Sequence, residues 1–179
     1  MKFTQTEIFG VVLVESEPHT DDRGSFMRIW DRAELSEHGL EPQPVQWSLS
    51  YNTRAGTLRG MHYQEEPHAE EKLVRCVRGA LYDVALDLRR ESPTFGRWFA
   101  VELRAGDPTA LYLSAGLAHG FQTLEDGTEI LYAISAPYEP AAARGVRWDD
   151  PTFGIHWPDA ESGRIMSDRD RSWPDYELP

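Results

Sequence analysis

Glycine interrupts this chain roughly every ten residues, at Gly10, Gly24, Gly39, Gly56, Gly79, Gly96, Gly106, Gly116 and Gly127, the turn spacing of an all-β sandwich or barrel. The runs between these breaks are short and rich in β-branched and aromatic residues. The clearest is Leu81 to Leu88, where Tyr82, Val84, Leu86 and Leu88 share one face and Asp83, Ala85 and Asp87 the other. Further strands are expected at Phe9 to Glu15, Trp98 to Leu103, Ala110 to Leu113 and Glu129 to Ala136. One helix is expected to start at Asp31, with Glu34 three residues on as a capping partner, and to stop at Gly39.

With 179 residues and no linker or repeat, the chain reads as one domain over 1–179, its Trp- and Pro-rich segment from about 151 to 179 wrapped irregularly over the barrel. No apolar run is long enough for a membrane helix, and MKFTQTEIFG lacks the apolar stretch of a secretory signal, so a cytoplasmic protein is expected. A net charge of −12 opposes binding to nucleic acid or anionic membranes. An anionic ligand would need a local basic pocket, for which Arg23, Arg59 and Lys72, each near a glycine, are candidates. The single Cys76 implies neither a disulfide nor a redox pair.

Two segments carry chemistry. In GTLRGMHYQ, Gly56 to Gln64, strand alternation sets His62 and Gln64 on one face, with Arg59 nearby. In YLSAGLAHGF, Tyr112 to Phe121, His119 follows a turn and is expected to reach the same cavity. The spacing of these glycines and histidines is similar to that of a cupin metal site, but Gln64 stands at the second His position and Lys72 at the Glu position. An ammonium in place of a carboxylate repels a divalent cation, so no metal is expected. A His beside a fixed cation suits proton abstraction next to a carbonyl instead.

The strings TLRGMHYQ, EKLVRCVRGALYDVALDLRRESPTFGRW, AGLAHGFQTL, RWDDPTFGIHWP and SDRD, with Tyr132 and Tyr138, resemble the dTDP-4-dehydrorhamnose 3,5-epimerase family from about Val12 to Asp170. The resemblance implies a jelly-roll barrel of cupin type with short connecting helices. It implies an epimerase of a nucleotide-activated 4-keto-6-deoxy sugar, without cofactor or metal, and a homodimer. It makes His62 the base, Asp170 the carboxylate that orients it, Lys72 the cation at the enolate oxygen and Tyr132 the acid on the opposite face. It makes Arg23 and Arg59 diphosphate ligands and puts Gln46, His119, Tyr138 and Arg169 on the substrate, with Asp83 bracing His119.

Read without the resemblance, Tyr132 between Ile130 and Ile134 is core packing and Asp170 is surface charge. Family members usually carry Glu, Asn and Glu where this chain has Arg28, Ser48 and Ala143, so base and sugar identity stay open. Two rivals remain. A metal-dependent cupin is opposed by Gln64 and Lys72, and a noncatalytic sugar-nucleotide module by the joint presence of His62, Lys72, Tyr132 and Asp170.

Overall fold

Thirteen strands and two short helices make up the fold in the computed structural model, which describes residues 1–40, 43–161 and 163–177. One antiparallel sheet runs in the order β1 (Lys2–Gln5), β2 (Val11–Glu15), β10 (Thr109–Leu113), β7 (Lys72–Arg78), β12 (Thr128–Ile134), β5 (Gln46–Asn52). The other runs β13 (Ala143–Gly145), β6 (Leu58–Gln64), β11 (Leu117–Thr123), β8 (Ala80–Asp87), β9 (Trp98–Arg104). A hairpin of β3 (His19–Asp21) and β4 (Gly24–Phe26) stands apart, with every residue exposed. The long-range neighbours, such as β2 beside β10 and β6 beside β11, are those of the jelly roll expected.

Alternation explains how the sheets pack. Val74, Cys76, Leu111 and Ile130 from the first sheet meet Leu81, Ala85, Leu103 and Phe121 from the second in a sealed interior. Each such aliphatic or aromatic side chain contributes about 1.5–3 kcal/mol by leaving water. The outer faces are covered too. Val12, Val14, Leu73 and Ala133 are roofed by Leu35 of α1 (Arg32–Glu37), while Val84, Leu86 and Ala118 lie under Phe153, Trp157 and Tyr176. Asp31 caps α1 as its sequence predicts, its carboxylate accepting from the backbone N–H groups of Ala33 and Glu34.

The C-terminal part is more regular than its composition predicts. Ile165 bridges to Thr57, and Asp168–Arg171 forms a second helix, α2, capped by the Ser167 hydroxyl. The string SDRD is itself the signal: a capping residue with an acidic residue three positions on.

Candidate active site

The sheets part at one end of the barrel into a cleft of two lobes, of about 300 Å3 and 290 Å3, which meet at His62, Lys72 and Ile134. Each lobe alone is at the small end for a ligand pocket. A ligand as long as a nucleotide sugar needs both.

The first lobe gathers Arg59, His62, Lys72, His119, Tyr132 and Asp170. Strict alternation would point Arg59 and His62 to opposite faces, because they lie three residues apart. The strand does not alternate strictly there. His119 opposes His62 while Phe121 opposes Arg59, so β6 carries one extra residue, a bulge that returns both side chains to the cleft. Gly60 makes this possible: its φ is +108°, and a Cβ there would come within 2.6 Å of Gly120 Cα. Arg59 donates from Nε to Asn52 Oδ1 at 2.9 Å, an anchor not identified from sequence, and the rest of its exposed guanidinium is left for an anion.

His62 Nε2 lies 2.6 Å from Asp170 Oδ1, and the pair spans 108 residues of sequence. Burial pushes the Asp170 carboxyl up, but hydrogen bonds from His62, Ser167 and the Gly60 backbone N–H outweigh it and hold the group below the ordinary carboxylate range. Asp170 is therefore an anion at neutral pH, and it fixes the imidazole with Nδ1 turned away as proton acceptor. Across the first lobe, His119 Nε2 lies 2.7 Å from Asp83 Oδ1, as the polar face of β8 predicts.

Tyr132 reaches the lobe from the opposite sheet, its ring edge-on to His119 with centroids 6.0 Å apart. Burial, and after it the negative Asp83, push its phenol well above the ordinary value, with Arg59 opposing. The group keeps its proton near neutrality and is available as a donor. Its ring also packs on the interior cluster, so both readings of Tyr132 hold at once.

Lys72 is not a free cation. Its Nζ lies 2.9 Å from Glu70 Oε1, with both side chains nearly buried. Glu70 was missed from sequence, although alternation from Lys72 would have put it on the same face. Among the described residues, no group of three or more His, Cys, Asp or Glu side chains is arranged to hold a metal ion. Gln64, at the cupin metal position, is buried and occupied by the loops: its amide donates to the His68 and Pro137 carbonyls, and its Oε1 accepts from the Glu139 N–H.

The second lobe holds Gln46, Tyr138 and Arg169, together with Ala143 and the unpredicted Arg144. Ser48 lines the first lobe. Arg23 is elsewhere. It sits on the β3–β4 hairpin with its side chain 90 % exposed, paired to Asp21. Arg28 is also outside the cleft, bound to Asp31 and Glu34 at the start of α1.

Residues 5–177 match the family profile described as dTDP-4-dehydrorhamnose 3,5-epimerase. A dTDP-4-dehydrorhamnose 3,5-epimerase from Sinorhizobium fredii is 42% identical over 184 residues, covering 100% of this chain and 92% of the relative. The crystal structure of the enzyme of that name from Bacillus anthracis, with TDP and PPi bound, superposes with a TM-score of 0.93 at 37% identity, covering 98% of this chain and 99% of that one. A 3'-monoepimerase from Streptomyces bikiniensis in complex with dTDP-quinovose gives a TM-score of 0.87 at 38% identity, covering 95% of this chain and 85% of that one.

Proposed function

The chain belongs to the dTDP-4-dehydrorhamnose 3,5-epimerase family, and from that premise we propose that it inverts C3, C5 or both in a dTDP-linked 4-keto-6-deoxy sugar. The observation that carries the reading is the oriented His62–Asp170 pair facing a protonated Tyr132 on the opposite sheet. His62 Nδ1 takes the proton from the carbon beside the C4 ketone, the C–H electron pair becomes a C=C bond to C4, and the carbonyl π pair moves onto O4 as an enolate. The Lys72 ammonium, paired with Glu70 at rest, stabilises that oxyanion. Tyr132 then delivers its proton to the other face and is reprotonated from solvent, while His62 releases its proton in turn. Arg59 holds the diphosphate, His119 contacts the sugar, and Gln46, Tyr138 and Arg169 surround the nucleoside in the second lobe. No cofactor enters this scheme, and the cytoplasm, where activated sugars are made, is its proposed location.

Incubation with dTDP-4-keto-6-deoxyglucose in heavy water, read by NMR at C3 and C5, tests the reaction. Deuterium with inversion is expected at one or both carbons. Tyr132→Phe is expected to admit deuterium with retained configuration while inverted product falls by about two orders of magnitude. Absence of deuterium from both carbons with the unaltered protein overturns the reading.

The same reading includes a homodimer. Edge strand β5 turns Trp47, Leu49 and Tyr51 outward, each about half exposed, while Ser48 and Ser50 face the cleft. A second copy against that face would cover the apolar row and bring its β3–β4 hairpin, with Arg23 and the 74 % exposed Phe26, toward this cleft. Sedimentation is expected to give twice 20.4 kDa, and a monomer at micromolar concentration overturns it.

A further inference from the structure

We propose that Trp173 is a positioning residue that holds Asp170 on His62 by seating its indole on Gly145. The inference rests on His62 being the base, and it concerns how the chain keeps that base oriented. Asp170 lies on α2, a helix of four residues, and the carboxylate's bonds to His62 and Gly60 join it to the barrel. A single turn of helix has little stability of its own. Ahead of the helix, Ile165 is bonded to Gly56 and Leu58, so what remains to be fixed is the side that follows it.

Trp173 follows α2 by two residues, and its ring lies flush on Gly145 of β13. A Cβ at Gly145 would overlap the ring atoms Cε2 and Nε1. Gly145 is the residue directly opposite His62 in the β13–β6 pairing. The ring that ends the α2 segment thus rests on the strand position beside the base, three residues after the carboxylate that orients it. The Arg169 guanidinium stacks on the same ring, 5.1 Å from its centroid, and reaches into the second lobe. Trp173 Nε1 is buried without a hydrogen-bond partner among the described residues, so the ring is held by shape and stacking. Glycine at 145 and tryptophan at 173 form one contact: a side chain at the first expels the second.

Five variants test this: Trp173→Ala, Trp173→Phe, Gly145→Ala, Asp170→Asn, and Asp170→Asn combined with Trp173→Ala. Two readouts are used: deuterium incorporation into the keto sugar, and the low-field imidazole N–H proton of the ligand-free protein that Asp170→Asn removes, which separates the 2.6 Å His62–Asp170 bond from the 2.7 Å His119–Asp83 bond. Trp173→Ala and Gly145→Ala are each expected to slow exchange by about ten- to a hundredfold, the cost of slight misplacement of a catalytic group, and to erase the low-field signal. Trp173→Phe, which keeps a ring, is expected to restore most of both. In the Asp170→Asn background, Trp173→Ala is expected to add no further loss, because residues acting through one contact are not additive. Should Trp173→Ala fail to fold, Gly145→Ala carries the same test with the indole retained.

Wild-type exchange and an intact low-field signal in Trp173→Ala and Gly145→Ala overturn the proposal. An equal, additive loss in the Asp170→Asn background also overturns it. If the unaltered protein exchanges no deuterium, the assigned reaction fails, and the low-field signal still decides the role of Trp173.

Discussion

His62 and His119 face each other across neighbouring strands, each bonded to an aspartate, yet the two pairs are built on opposite terms. His119 is 6 % exposed and Asp83 is wholly buried, on adjacent strands 36 residues apart. His62 is 41 % exposed, and its aspartate arrives from a short helix 108 residues away. One pair belongs to the barrel and the other is assembled onto it. The half-exposed imidazole keeps one nitrogen toward the opening, and its partner comes from outside the sheets. The buried imidazole is bonded from within the sheet.

The largest expected difference between the two pairs is catalytic. His62→Asn is expected to cut deuterium incorporation by about 10²–10⁴-fold while dTDP binding, followed by calorimetry, persists. His119→Asn is expected to act mainly through KM and to spare most of the exchange at saturation. The reverse pattern would exchange the roles of the two histidines and break the contrast.

A smaller difference is expected in stability. Asp83→Asn removes a charge from a closed interior and should cost about 1–3 kcal/mol in denaturant titrations at unchanged slope. Asp170→Asn, whose partner is partly solvated, should cost less than about 1 kcal/mol. The Asp170 carboxyl is depressed in the folded state, so its contribution is present above the ordinary carboxylate value near pH 4 and is lost as pH falls through the folded value. Asp170→Asn should accordingly flatten the acid limb of stability against pH. Equal costs for the two variants would show both pairs to be structural.

The same contrast decides what was legible in the sequence. Local signals read well: Asp31 announces α1, and alternation along Ala80–Asp87 sets Asp83 where His119 needs it. In β6 alternation holds from His62 to Gln64, which line the same lobe, but not back to Arg59, because a bulge at Gly60 resets the period and brings Arg59 round to His62. Lys72 was legible as a cation but its partner Glu70 was not, since an ion pair depends on how two side chains turn in a closed space. Asp170 was visible only through family resemblance. Nothing in its spacing from His62 shows that the tail folds back under Gly60, a placement settled by Phe153, Trp157 and Tyr176 packing on the outer face of the second sheet. Arg23 carries the limit further, because within one chain it lies on a detached hairpin.

The distance in sequence between His62 and Asp170 also puts the two ends of one hydrogen bond at different moments in the life of the chain. A ribosome adds about 5–20 residues per second, so several seconds separate the synthesis of His62 from that of Asp170. The thirteen strands among the described residues all precede α2 in the chain and are made before it. The nascent barrel can close with its histidine in place but unaligned, and the bond that orients the imidazole forms only once α2 has followed.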